Sequence, residues 1–382
     1  MTIALDGVMQ DIALAHGLPN PLYTDPLMFE TEKHRVFARN WAAIGIASDV
    51  PSAGSVMPLR FLGEPLLMVR NRRGEIRVFE NVCRHRGMIL VEEPGQLKGP
   101  ITCPYHAWAY DLDGQLRATP HIGGPDIHSH PQVDPDQLGL NSIRCHVWQD
   151  IVFVNLDGGA EPFSVMHQPL LERWNEFDKP VHFGGADSRF SLTVESNWKL
   201  AVENYCESYH LPFVHPGLNS YSRLEDHYHI NGPGGMSGQG TLVYAPSLEG
   251  TTTPFPNFPG LSSRWDNAAE YIALFPNVLL GIHRDHFYSI ILDPLSFDST
   301  EERVAIYYAD AAVCTAEYAS RRAANSSLWK GIFEEDIGVV EGMYRGRSAK
   351  RYDGGKFSPV MDNPTHYFHA WIAEQMQDQG AR

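Results

Sequence analysis

Cys83-Arg84-His85 is followed, after seventeen intervening residues, by Cys103-Pro104-Tyr105-His106. Each stretch offers one thiolate and one imidazole from a short loop. Two thiolates on one iron and two imidazoles on the other make up a Rieske 2Fe–2S centre, whose histidines raise the reduction potential above that of an all-cysteine cluster. Zinc also accepts two cysteines and two histidines. Zinc fingers, however, usually keep cysteine with cysteine and histidine with histidine, whereas each loop here mixes the two. The pattern predicts a one-electron centre held by Cys83, His85, Cys103 and His106.

A second metal-ligating pattern lies further along. In the run from Asn197 to His215, two histidines, His210 and His215, stand five apart. Trp198, Ala201, Val202, Tyr205 and Tyr209 recur at helical spacing, and Pro212 is a breaker. The expectation is a helix closed by His210, with His215 reaching back from the following turn. Two imidazoles and a carboxylate on one face, with open positions left, form the facial triad of non-haem Fe(II) oxygenases. The carboxylate has to come from elsewhere, and Trp329–Val340 reads as a helix carrying Glu334, Glu335 and Asp336. Asp336 has Ile332 and Phe333 one turn before it and Val339 and Val340 one turn after, so it points inward. Glu334 has Lys330 and Gly338 for helical neighbours, which suits a solvated face. A carboxylate on an apolar face is disfavoured unless it is paired or binds a metal. Asp336 is therefore the candidate ligand, with Glu335 the alternative.

The elements that must position these groups are mostly strands. A helix is expected from Pro26 through Phe37. From Trp41 to Asn155 short strands alternate with turns, among them Leu66–Arg70, a hairpin turn at Asn71–Gly74, and Ile76–Phe79 leading to the first cluster loop. Tyr110–Leu116 repeats strand–turn–strand after the second loop, and Ile151–Leu156 is a buried strand. Asp157–Ala160 reads as a linker. Strands resume at Phe190–Glu195, Tyr271–Phe275, Val278–Ile282, Phe287–Leu292 and Val304–Ala309. The fold class expected is α+β: an antiparallel-β cluster domain and a second domain with helices on an antiparallel sheet. The boundaries expected are 1–40 for an N-terminal helical segment packing on the catalytic domain, 41–157 for the Rieske domain and 158–382 for the catalytic iron domain. The glycine-rich stretch 231–253 reads as a long irregular connection, either a lid or a surface insertion. Tyr244, Phe255, Phe258, Trp265, Tyr271, Phe275, Phe287 and Tyr288 read mainly as core; a few of them would suffice to hold a trimethylammonium group by cation–π attraction. The pairs or groups His121/His128/His130, His227/His229 and His283/His286 are expected at the surface or behind other ligands. Arg84 is either an ordinary loop arginine or part of a surface that meets a redox partner.

With both motifs present in this order, the chain resembles the large (alpha) subunit of Rieske-type non-haem iron oxygenases over nearly its whole length. That family has an acidic residue three before the first iron histidine, linking the two metal centres. Here it is Glu207, where aspartate is more usual, and Glu207-Ser208-Tyr209-His210 resembles the branch acting on quaternary ammonium compounds such as carnitine, glycine betaine and choline. Ala107 stands where the family usually has glycine. The resemblance implies one Rieske 2Fe–2S cluster and one mononuclear Fe(II) per chain, and a terminal oxygenase component hydroxylating, demethylating or cleaving a small substrate with O₂. It also implies a flavin/iron–sulfur reductase, or a ferredoxin, as the electron donor drawing on NAD(P)H. A ring-like homotrimer would let the cluster of one chain serve the iron of the next, with Glu207 as the bridge. The alternative within the family is ring hydroxylation of an aromatic acid or hydrocarbon. A carrier with only a Rieske centre would need neither His210, His215 and Asp336 nor so long a chain.

Composition agrees with this reading. The 382 residues suffice for two cores. A net charge of −16 argues against nucleic acid or an anionic membrane as partner. No apolar run of membrane-spanning length and no secretory leader pattern is seen. Of five cysteines, Cys145, Cys206 and Cys314 remain after the cluster pair is set aside. An odd remainder without framework spacing suits a reducing cytoplasm.

Overall fold

The computed structural model describes residues 4–246 and 254–377. They form two compact units: residues 43–159, and the chain up to Ala42 joined with the chain from Ala160 onward.

The unit 43–159 is built on a seven-stranded sheet. Its strands lie in the order Ala42–Ile46, Ile151–Asn155, Ser142–Trp148, Ile76–Glu80, Glu64–Arg70, Ser55–Phe61 and Gly95–Gln96. Leu66, Leu67, Met68 and Val69 are all buried, as are all five residues of Ile151–Asn155, which is the continuous apolar pattern of strands covered on both faces. Asn71 closes the hairpin between Glu64–Arg70 and Ile76–Glu80, its Oδ1 accepting from the Arg73 and Glu75 amides. A small sheet of Ile101–Thr102, Ala109–Tyr110 and Leu116–Ala118 completes the unit. The second cluster loop is the turn between the first two of these strands.

The larger unit carries an eight-stranded sheet. Its order is His182–Phe183, Ser299–Tyr308, His286–Ser296, Val278–Ile282, Ala269–Leu274, Met236–Thr241 and His227–Gly232, with Arg189–Val194 pairing along the same edge of Ser299–Tyr308 as His182–Phe183. The helices Trp198–Cys206 and Asn363–Met376 pack on strands of this sheet, and Ala319–Gly346 packs on Arg189–Val194 and on Trp198–Cys206. Buried polar groups tie the N-terminal segment to these helices. Lys199 Nζ donates to Glu32 Oε1 (2.5 Å), and neither side chain is exposed to solvent. Tyr23 Oη donates to Glu203 Oε1 (2.5 Å). His369, fixed at Nδ1 by the Leu18 amide, sets Nε2 3.2 Å from the same carboxylate.

The architecture is α+β, with mixed helix and antiparallel sheet. One expectation is corrected. Residues 231–241 are not an irregular connection, because His227–Gly232 and Met236–Thr241 form a hairpin closed at Gly234 and Gly235, whereas 242–246 follow without regular structure. The glycines that suggested a loop serve close packing. A Cβ on Gly238 would stand 2.0 Å from the Tyr271 carbonyl oxygen of the next strand. Residues 247–253 of that stretch lie outside the described residues.

Candidate metal centres

The two cluster loops share one backbone design. In the first, the Cys83 amide donates to Met88 O (2.8 Å) and the Gly87 amide to Cys83 O (3.1 Å). In the second, the Cys103 amide donates to Trp108 O (2.8 Å) and the Ala107 amide to Cys103 O (3.0 Å). The fourth residue after each cysteine takes a positive φ, +73° at Gly87 and +54° at Ala107. A Cβ in that region costs about 1–2 kcal/mol, which explains why glycine is the usual occupant. Ala107→Gly is accordingly expected to stabilise this unit by about 1 kcal/mol, read as a higher midpoint in thermal unfolding followed at the cluster absorbance.

Cys83 and Cys103 are buried among Leu67, Phe79, Trp108 and Tyr110, whereas His85 is exposed and His106 half-buried. Thiols thus lie beneath and imidazoles above, with the two rings 4.7 Å apart and His85 stacked on Trp108. Burial pushes the Cys83 thiol up, and partial desolvation with His106 and Arg86 nearby lowers His85. The buried His106 Nδ1 has no hydrogen-bond partner among the described residues. Paired buried sulfurs, two facing imidazoles and a bare ring nitrogen suit a 2Fe–2S cluster. Tyr110 Oη accepts from the Arg84 amide (3.0 Å), which leaves its proton for Cys83 Sγ at 3.3 Å. A hydrogen bond to a ligand sulfur favours the reduced, more negative cluster. Tyr110→Phe should therefore lower the midpoint potential, by ~40 mV if the bond is worth ~1 kcal/mol, measured by redox titration of the cluster absorbance. Arg84 is held by Asn141, and His121, His128 and His130 are exposed.

The second site gathers within the larger unit. The helix Trp198–Cys206 ends four residues before His210, contrary to the expectation that His210 would close it. The reason is Glu207. It is extended at φ −122°, ψ 162°, and its carboxylate accepts from the backbone amides of Tyr209 and His210, so the chain turns there instead of continuing. Pro212 then sits in the first turn of the short helix Leu211–Val214, where its missing N–H costs nothing. His210 and His215 flank that single turn and so face the same point.

Asp336 arrives from the long helix Ala319–Gly346. Its Oδ1 lies 2.9 Å from His215 Nε2 and 3.7 Å from His210 Nε2, and one ligand atom from each of the three residues lies within 4.8 Å of the others. The other ring nitrogens are also held. His210 Nδ1 donates to Glu207 Oε1 (2.6 Å) and His215 Nδ1 to Glu335 Oε2 (2.6 Å). A carboxylate behind each imidazole orients the ring and raises its basicity. Burial opposes charge on His215, but Asp336 and Glu335 outweigh it and hold its pKa above the ordinary value. A pocket that favours positive charge between two imidazoles and a carboxylate suits a divalent iron. Glu334 points to solvent near Lys330 (3.7 Å), and Glu335 touches only the far side of His215.

Around the triad is a cavity walled by Asn204, Tyr205, Tyr271, Tyr288, Trp329 and Phe333. Trp329, Phe333 and Asp336 share one face of the long helix, being four and seven residues apart. Gly281 lies opposite Tyr288 in the sheet, and a Cβ there would meet the Tyr288 ring at 2.2 Å, so the glycine is what lets this ring lie flat over its neighbour strand. Tyr205 Oη donates to Leu280 O (2.8 Å) and lies 3.0 Å from Tyr288 Oη. Burial raises Tyr271 and Tyr288 well above their ordinary pKa, so both present neutral rings. His283 and His286 are buried, at 1% and 4% exposure, not superficial. His227, on the same cavity, bonds Gln239 (2.6 Å), and Gln239 in turn donates to Glu207 O (3.0 Å). Gln239, Asn204 and Trp329 carry no sequence signal that would have singled them out.

Comparison with known proteins accords with this geometry. The family described as ring hydroxylating alpha subunit (catalytic domain) matches residues 184–378, and the Rieske [2Fe-2S] domain matches residues 40–132. The chain is 28% identical to the carnitine monooxygenase oxygenase subunit of Escherichia coli (strain K12), covering 95% of each chain. It is 25% identical to the chloroplastic choline monooxygenase of Spinacia oleracea, covering 95% of this chain and 79% of that one. A solved structure of a quaternary ammonium Rieske monooxygenase shares the fold, with a TM-score of 0.81, 22% identity, and coverage of 99% of this chain and 100% of that one. With a Rieske domain, a ring-hydroxylating catalytic domain and donor sets that fit a 2Fe–2S cluster and a mononuclear iron, this chain belongs to the ring hydroxylating alpha subunit family and is the oxygenase component of a Rieske oxygenase.

Proposed function

We propose that this chain hydroxylates a quaternary ammonium or related methylated amine compound. Cys83, His85, Cys103 and His106 hold the Rieske cluster, and His210, His215 and Asp336 hold the iron. The observation that carries the substrate class is the aromatic wall beside the triad. Tyr288 and Tyr271 lie 4.6 and 6.2 Å from Trp329, centroid to centroid, and all three line the triad's cavity. Such faces attract a trimethylammonium group by about 0.5–2 kcal/mol per contact, and a methyl carbon seated there lies beside the metal site. Carnitine and choline, the compounds named for the two relatives, both bear that group.

When bound, the two metal groups supply electron relay and O₂ activation. The protein's own part is positional. Glu207 and Glu335 hold the imidazoles so that each Nε2 faces the metal position, and the aromatic wall excludes water while orienting the methyl group. Glu207 is read as the link by which a cluster of one chain serves the iron of the next in a homotrimer. Electrons come from NAD(P)H through a flavin/iron–sulfur reductase or a ferredoxin. The domain reading is 41–157 for the cluster, 158–382 for catalysis and 1–40 packed on the latter. No helix among the described residues is long and apolar enough to cross a membrane, and the odd remainder of Cys145, Cys206 and Cys314, without framework spacing, suits a cytoplasmic setting.

The test is substrate-dependent NAD(P)H oxidation in the presence of a reductase, with product analysis, across carnitine, glycine betaine, choline and salicylate-like aromatic acids. Turnover coupled to product from at least one quaternary ammonium compound is expected. Coupled turnover of the aromatic acids alone would overturn the reading.

A further inference from the structure

Trp329, the largest ring of the cavity wall, is held by a hydrogen-bonded pair that does not line that cavity. His286 Nδ1 donates to Asp285 Oδ1 (2.6 Å), which leaves Nε2 as an acceptor, and the indole Nε1 of Trp329 donates to it (3.0 Å). His283 stacks on His286 with centroids 4.2 Å apart and planes 4° from parallel. It also meets Tyr271, whose Oη lies 3.3 Å from His283 Nε2. Two of the three aromatic faces beside the triad are thus anchored, through their polar atoms, to two stacked histidines at the turn between the strands Val278–Ile282 and His286–Ser296. Trp329 is 1% exposed, so its N–H has no water to turn to, and losing this acceptor would free the ring to swing toward another partner.

We propose that Asp285 and His286 are positioning residues for cation selection, a role that rests on the quaternary ammonium reading above. The pair acts on Trp329 in two ways. It fixes the indole plane so that the ring stands as one wall of the cavity with Tyr288. It also polarises the indole, because donation to an imidazole that itself donates to a carboxylate shifts electron density toward the ring, and chains of hydrogen bonds strengthen one another in this way. A denser π face is a better cation site. The preference for a charged methylammonium group over an uncharged group of the same shape is therefore set partly by side chains that never touch the substrate.

The test compares binding of choline with that of its uncharged isostere 3,3-dimethylbutan-1-ol, by calorimetry on the anaerobic iron-loaded protein. In the unaltered protein the cation is expected to bind about tenfold more tightly. His286→Leu removes the acceptor and should cut that preference by about threefold or more, as should Trp329→Phe, which keeps a ring but lacks the N–H. The double variant should lose no more than either single one, since both remove the same interaction. His286→Gln, whose amide oxygen can accept from the indole, should restore most of the preference. Asp285→Asn, at a partly exposed position, gives a second reading should His286→Leu fail to fold, with an intermediate loss expected. A parent preference left intact in both His286→Leu and Asp285→Asn, or additive losses in the double variant, would overturn the positioning role while leaving the substrate reading in place. Equal binding of the two probes by the unaltered protein would overturn both.

Discussion

Asp336→Ala is expected to leave two irons per chain where the intact protein holds three, with the spectrum of the reduced cluster unchanged. Substrate-dependent turnover should fall by on the order of 10³-fold or more, since the iron supplies several kcal/mol of activation. The reason is geometric. Asp336 Oδ1 is the carboxylate oxygen facing both His210 Nε2 and His215 Nε2, and alanine leaves two imidazoles that make only a weak site. Glu335→Ala is the informative contrast. Glu335 reaches His215 only at Nδ1, so its loss should weaken iron binding by about 10–100-fold without abolishing it, and excess Fe(II) should recover most of the activity. Iron analysis with activity before and after adding Fe(II) separates the two. A third iron retained in Asp336→Ala and lost in Glu335→Ala would exchange their roles.

Glu207→Gln should keep all three irons and normal reduction of the cluster by its reductase, yet lose about 100-fold in coupled turnover. Glutamine is chosen because Glu207 does two things. Its carboxylate caps the turn by accepting from the Tyr209 and His210 amides, and it accepts from His210 Nδ1. An amide oxygen can preserve the cap while removing the charge that orients His210 and that is proposed to link the centres. Glu207→Ala removes both functions and should also destabilise the turn, which glutamine should not. The readout is re-oxidation of the pre-reduced cluster in a single turnover with substrate and O₂, together with the assembly state of the variant. Re-oxidation and coupling at the parent rate in Glu207→Gln would sink the bridging role.

These two sites differ in how far the sequence alone could carry them. The candidate cluster loops were legible because their geometry is local. A cysteine and a histidine two or three residues apart in a tight loop have few ways to point, and both loops close on the same pair of backbone hydrogen bonds. The segment from Glu207 to His215 was legible for the same reason, although the helix end was misplaced. Helical spacing continued past Cys206, and only the Glu207 carboxylate, capping the amides that follow, stops the helix there. The strands around the cluster were likewise visible as apolar runs between turn residues, because a strand covered on both faces needs an unbroken run.

The tertiary structure decided what depends on distant partners. Asp336 and Glu335 are adjacent on one helix, and helical neighbours favoured Asp336 but left Glu335 open. It is the packing of that helix against His210 and His215, 120 residues or more away, that gives each carboxylate its own ring nitrogen. The glycines of Met236–Thr241 looked like a loop, since nothing local shows that Tyr271 backbone will press against Gly238. His283 and His286, three apart among eighteen histidines, could be read equally as surface residues or as residues behind other ligands. Asp285 and Trp329 hold both ring nitrogens of His286 and Tyr271 meets Nε2 of His283, and Trp329 lies 43 positions along the chain from His286. Local spacing determines which chemistry the chain can hold, whereas which rings and carboxylates surround it follows from long-range packing, where desolvation penalises every polar atom left without its partner.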